Sequence, residues 1–220
     1  MPILPDCRGP LTTRPSRGRR RPRLGYPAGM GDLRNIFLVG PMGSGKTAVG
    51  KRLARRLRLR FVDSDLEIER RTGADITLIF EKEGEAGFRV RESAVILDLV
   101  TLPGLVISTG GGAILLPENR AALQSSGTVV YLETSVARQA ERVRRSVHRP
   151  LLAGAIDLTA RLAELMAYRA PLYAEVAHLT VRTDGSRVQD IVERIVAALP
   201  GFAPDDAPPP PDVGGPGRIL

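Results

Sequence analysis

Gly40-Pro41-Met42-Gly43-Ser44-Gly45-Lys46-Thr47 is the stretch whose reading decides the fold. It fits G-x-x-x-x-G-K-[ST], in which glycines let backbone N–H groups turn inward on phosphates. The lysine adds a point charge and the threonine offers a hydroxyl to Mg²⁺. The context is also right. Before it, Asn35–Val39 is a short apolar run that reads as a buried strand. After it, Val49, Leu53, Ala54 and Leu57 recur at helical spacing with arginines on the other face. A helix starting there points its N-terminal dipole at the anion. Met42, Gly43, Ser44, Gly45, Lys46 and Thr47 are therefore the expected nucleotide-binding residues. Lysine is scarce here: only Lys46, Lys51 and Lys82 stand among 32 basic residues. Its retention in the loop suits a compact ammonium where a guanidinium fork would not fit.

Outward from the loop, strands and helices alternate. Arg60–Val62 reads as a second strand running into Asp63-Ser64-Asp65, followed by a helical block over 66–71, 76–83 and 85–102. Leu105–Ser108 is a third strand, ending at Gly110-Gly111-Gly112, and Thr128–Leu132 a fourth, with one helix between them. Helical patterns follow at 135–145 and 157–174, then a strand at 179–182 and a closing helix at 186–199. The order predicts an α/β fold, a three-layer α/β/α sandwich around a five-stranded, mostly parallel sheet. Ligands of such sheets sit at the carboxyl ends of the strands, where this chain places its glycines and acids.

The formal charge of +8 is unevenly spread. Residues 1–31 hold seven arginines and one aspartate, giving +6, in a Pro- and Gly-rich arm without periodicity. Residues 201–220 hold three aspartates and one arginine, giving −2. Both ends read as disordered, because neither can bury enough apolar surface to offset its ordering entropy. A single domain is expected over 32–200. The only cysteine, Cys7, excludes an internal disulfide or a cysteine metal site. No apolar run reaches bilayer length, and the basic start lacks an apolar signal-peptide core.

The acceptor must be read from the rest of the chain. Asp63 and Asp65 leave a strand 17 and 19 residues after Lys46, near the same face of an extended segment. One carboxylate suits the hydration shell of Mg²⁺ and the other a substrate hydroxyl; an Asp-x-Asp here is equally a helix N-cap. Arg89, beside the apolar Phe88, offers a carboxylate-binding fork or an ordinary solvated face. Gly110, Gly111 and Gly112 allow close backbone approach, or are simply a loop. Tyr168 and Tyr173 fit core or surface equally well.

Together with Phe80…Gly84-Glu85…Phe88-Arg89, Ser108–Ala113, Arg149-Pro150-Leu151-Leu152 and Arg169-Ala170-Pro171-Leu172-Tyr173, these motifs occur in one order. In that combination the chain resembles the shikimate kinases over about residues 33–199. The resemblance implies a P-loop kinase fold with a substrate-binding segment at about 64–92 and a lid at about 143–156. It implies transfer of the ATP γ-phosphate to the 3-hydroxyl of shikimate, with one Mg²⁺ per subunit; a monomer is expected, and a cytoplasmic one because neither a bilayer-length run nor a signal-peptide core is found. Lys46, Asp65 and Arg149 would then be catalytic, Asp65 helping to deprotonate the acceptor and Arg149 reaching the phosphates from the lid. Arg89 and Arg169 would grip the carboxylate, with Gly110, Gly111 and Gly112 along the ring. Thr47 and Asp63 would serve the metal, and Arg142 would lie at the adenine. The chain departs from the family at Asp184-Gly185-Ser186-Arg187, where Ser186 stands in place of a basic residue near adenine.

Two kinds of alternative fit parts of this pattern. Another small-molecule P-loop kinase, for gluconate or a nucleoside monophosphate, shares the architecture. Asp65, Arg89 and Arg169 suit hydroxyls and a carboxylate better than a base. A nucleic-acid-binding ATPase would use the basic arm. The arm lacks interleaved aromatics, and the chain has no Trp, four Tyr and five Phe, so specific nucleic-acid or membrane partners are not expected.

Overall fold

A computed structural model of the chain describes residues 35–144 and 157–199. All belong to the second of two units into which the chain divides, Leu33–Leu220. The arm at 1–31, Arg149, the tail at 201–220 and all of the expected lid beyond Arg144 lie outside the described residues.

The central strand β1 (Asn35–Val39) is buried along its whole length. Its alternation serves two cores at once. Ile36 and Leu38 pack with Val49, Leu53 and Leu57 of α1 (Lys46–Leu57) and with Ile191 and Ile195 of α7 (Val188–Ala198). Phe37 and Val39 face the opposite layer. There they meet Ile68 of α2 (Ser64–Thr72), Phe88 and Val95 of α3 (Ile76–Leu99), Leu123 of α4 (Pro117–Ser126) and Tyr173 of α6 (Leu158–Val176). A strand apolar on both faces is what a doubly covered sheet requires.

Around β1, β2 (Arg60–Asp63), β3 (Leu105–Ser108), β4 (Gly127–Glu133) and β5 (Leu179–Arg182) complete the order β2-β3-β1-β4-β5. All four pairings are parallel, so the sheet is wholly parallel rather than mostly so. Phe37 pairs with Ile107 on one side and Val129 on the other. Parallel strands bring every carboxyl end to one edge, so the phosphate loop, Asp63 and the triple glycine become neighbours. The short helix α5 (Val136–Val143) starts from that same edge, capped by Ser135.

Two local features differ from the periodicity. The segments expected at 76–83 and 85–102 form one element, α3, bent at Gly84 (φ 69°, ψ −176°), a region open essentially only to glycine. Across the bend Phe80 and Phe88 stack 4.7 Å apart, and the Arg91 fork holds Glu83 at 2.6 and 2.7 Å. Arg91 is thus a solvent-exposed ion-pair partner of Glu83. The two tyrosines part company: Tyr173 is completely buried and Tyr168 is 67% exposed.

Candidate active site

Three glycines shape the phosphate loop. Gly40, Gly43 and Gly45 all have positive φ, and a Cβ on Gly40 would also sit 2.7 Å from the Leu132 carbonyl. Conformation disfavours side chains at all three, and space excludes one at Gly40, so loop amides can converge on one point. Gly45 caps α1, whose first turn carries no acid. The Lys46 ammonium lies across the loop, donating to the Gly40 and Pro41 carbonyls at 2.7 and 2.9 Å. Arg142 of α5 reaches the loop from outside, donating to the Gly43 carbonyl at 2.6 Å.

At the end of β2, the Asp63 carboxylate makes two hydrogen bonds, one of them the N-cap that the sequence allowed. Oδ1 accepts from the Asp65 amide at 3.2 Å, capping α2. Oδ2 accepts from the Thr47 hydroxyl at 2.9 Å, placing hydroxyl and carboxylate together beside the phosphate loop.

Asp65 leads across to a buried charge cluster. Gly110 is the meeting point: a Cβ there would lie 2.8 Å from Asp65 Oδ1 and closer still to Glu92 Oε1. At Gly112 a Cβ would run into the Arg89 guanidinium. These glycines are needed for space rather than for an unusual φ, which sharpens the sequence reading. Ser64 Oγ accepts from the Gly110 amide at 3.0 Å and fixes the loop to α2.

The Arg89 fork donates to Glu92 at 2.5 Å and to Glu85 at 2.9 Å, and lies 5.2 Å from the Phe88 ring centroid. Arg169, one helix away on α6, is 5% exposed. Among the described residues the Nε atoms of both arginines are buried without a hydrogen-bond partner. Buried donors of this kind are rare and call for an acceptor. A cleft of about 620 Å³ opens between these walls, lined by Thr47, Asp63, Asp65, Arg89, Gly111 and Arg169 among others. Its size suits a small metabolite.

Compared with known proteins, residues 42–200 match the family model for shikimate kinase. The chain belongs to the shikimate kinase family. It is 54% identical over 161 residues to the shikimate kinase of Thioalkalivibrio sulfidiphilus, covering 73% of this chain and 84% of that one. The Halorhodospira halophila shikimate kinase is also 54% identical, over 166 residues, covering 76% and 93%. Among solved structures, shikimate kinase from Acinetobacter baumannii in complex with shikimate superposes with a TM-score of 0.72. It is 50% identical, covering 74% of this chain and 90% of that chain.

Within this shikimate kinase fold, the structure gathers Lys46, Thr47, Asp63, Asp65, Arg89, the three glycines and Arg169 at one sheet edge, with Arg142 at the loop. Ser186, the departure noted near the adenine, accepts from Arg194 at 2.9 Å, and Asp184 accepts from the Thr134 hydroxyl at 2.6 Å. That loop is tied into its own surroundings, and Arg187 serves as the N-cap position of α7.

Glu92 is the residue that the sequence reading missed. Its signal was the Arg89–Glu92 spacing of i,i+3, common to any helix surface. Here Glu92 is completely buried. Burial pushes its carboxyl up to about 7; Arg89 and, more weakly, Arg169 pull it down, while Asp65 adds to the rise. A carboxyl whose folded proton affinity exceeds its unfolded one stabilises the fold at low pH. That contribution is fully present below the ordinary value of 4.5 and is lost as pH rises towards about 7. Melting temperatures across pH 5 to 7.5 should therefore fall more steeply for wild type than for Glu92→Gln. Equal slopes would mean that Glu92 is ionised throughout.

Proposed function

We propose that this chain transfers the γ-phosphate of ATP to the 3-hydroxyl of shikimate, giving shikimate 3-phosphate for aromatic amino-acid biosynthesis. The observation that carries the reading is the cleft's polarity. Met42 and Thr47 of the phosphate-loop segment, Asp65, and two arginines whose buried Nε donors are unmet line one cleft. A small polyol carboxylate satisfies those groups; a nucleotide base would leave the two donors unmet. The Acinetobacter relative, solved with shikimate, supports the same acceptor.

Phosphoryl transfer asks for positioning and for charge at the migrating group more than for covalent chemistry. In our reading Lys46 and the loop amides of Met42, Gly43, Ser44 and Gly45 hold the phosphates at the α1 N-terminus. Arg142 lies on the nucleotide side, and Arg149 completes the site from the lid. Arg89 and Arg169 bind the carboxylate as forks, fixing the ring along Gly110, Gly111 and Gly112. Asp65 accepts a hydrogen bond from the acceptor hydroxyl and takes its proton as the bond to phosphorus forms.

The Thr47 hydroxyl and Asp63 carboxylate, 2.9 Å apart, are hard oxygen donors that fit Mg²⁺. Among the described residues no group of three or more His, Cys, Asp or Glu side chains that could hold a metal ion is present. One Mg²⁺ per subunit, when bound, neutralises charge on the phosphate oxygens.

Residues 32–200 carry the activity as a cytoplasmic monomer, and no partner beyond shikimate and ATP is needed. No helix among the described residues is long and apolar enough to cross a membrane. The test is a coupled assay of ADP release with shikimate, gluconate and nucleoside monophosphates in parallel. Shikimate should stimulate turnover far above the others. Preferential phosphorylation of gluconate or of a nucleotide would overturn the assignment.

A further inference from the structure

The reaction needs the acceptor and the phosphate loop held in register, and the acceptor side rests on three consecutive glycines. Glycine leaves peptide orientation poorly determined, so such a loop must be anchored from outside itself. Two of its carbonyls are bonded locally: Gly110 O accepts from the Ala113 amide at 3.2 Å and Gly112 O from the Leu115 amide at 2.9 Å. The middle carbonyl, Gly111 O, accepts from the Tyr173 hydroxyl at 2.5 Å.

Tyr173 is well placed to act as a fixed post. It is completely buried, stacked on Tyr131 with centroids 5.1 Å apart, and lies one helical turn beyond Arg169 on α6. Burial drives its ionisation far above the usual phenol range, so it remains a donor at any working pH. Gly111 is the contact between the two substrate loops. A Cβ there would lie 3.7 Å from the Gly40 carbonyl, the Met42 amide nitrogen and the Tyr173 hydroxyl alike. The tyrosine therefore bonds to the glycine loop where it packs against the phosphate loop.

We propose that Tyr173 is a positioning residue: its hydroxyl fixes the Gly111–Gly112 peptide against the phosphate loop and so sets the alignment of acceptor hydroxyl and γ-phosphate. This rests on the kinase reading and deepens it. A planar trans peptide turns the Gly112 N–H away from the carbonyl that Tyr173 holds, so one bond orients both groups. Losing it leaves a part-buried carbonyl without its protein donor, and the glycine peptide is free to rotate in search of another partner.

Tyr173→Phe removes only the hydroxyl and keeps the ring stack. In the full-length chain it should lower kcat for transfer about tenfold or more, since misplacement by an ångström costs rate steeply. KM values for ATP and shikimate should change little. The ratio of phosphoryl transfer to acceptor-independent ATP hydrolysis should fall by a similar factor. Assays in the cold keep the variant folded if its melting temperature drops. Unchanged kcat and coupling with only a lower melting temperature would overturn the role. Tyr131→Phe, which leaves the Tyr173 hydroxyl in place, should turn over like wild type. An equal loss there would show that removing either hydroxyl of the stacked pair is damaging, whatever it bonds, and would also overturn the role. Wild type is assayed alongside; if it fails to use shikimate, the kinase reading fails, a result distinct from either outcome.

Discussion

Replacing Lys46 by alanine should lower kcat for phosphoryl transfer by ~10²–10³ or more, the usual cost of removing one preorganised stabilising group. The ammonium sits across the phosphate loop, held by the carbonyls of Gly40 and Pro41 within 3 Å. In the proposed reaction it is a cation beside the transferring phosphate. The two carbonyls belong to buried loop residues, so losing the ammonium costs some stability, and a melting curve checks that the fold survives. Lys46→Arg is the more telling companion. It restores the charge but not the shape, because a planar fork cannot enter a loop built around a compact ammonium. It should remain severely impaired. Near-normal kcat in the alanine variant would remove Lys46 from the mechanism.

Asp65→Asn should be nearly as damaging, with a fall in kcat of about 10²–10⁴, the range attributable to a positioned acid or base. The change preserves size, and Asp65's amide still donates to Asp63, so the cap on α2 is retained. What is lost is the negative charge facing the acceptor side of the cleft, beside Gly110. ATP binding, measured by titration calorimetry, should be unchanged because the phosphate loop is untouched. Loss of ATP affinity would place Asp65 on the nucleotide instead. The two variants would thus separate the ends of the proposed site, Lys46 for the phosphate and Asp65 for the hydroxyl.

Much of this site is written in local sequence. The phosphate loop is legible because its requirements are local: positive φ at fixed positions, a strand before and a helix after. The alternation of elements is legible because apolar period reports whether a segment is covered on one face or two. Val49, Leu53 and Leu57 gave α1 its buried side directly. The tail of each strand then fell where glycines and acids had already been seen.

Other features depend on which segments meet. The pattern of apolar residues says that a strand is covered, not which strand lies beside it. The order β2-β3-β1-β4-β5 was therefore open until crossovers were packed. Gly84 read as a helix break, but the break is a bend that lets Phe80 reach Phe88 and Arg91 reach Glu83. Glu92 looked like one more helix-surface acid, and became a buried partner of Arg89 only because Gly110 of a distant loop closes over it. Tyr173 fitted core or surface, and what it bonds lies 62 positions away.

By itself the sequence determined a glycine-rich loop with Lys46 and Thr47 between a strand and a helix of a mostly parallel α/β sheet, with Asp63 and Asp65 at the end of the next strand, since each follows from short-range chemistry and periodicity. The tertiary structure alone decided how those ligands are braced: Glu92 under Arg89, Gly110 between two acids, and Tyr173 on the glycine loop. Burial and contact between remote segments are properties of the packed chain, and no residue carries them alone.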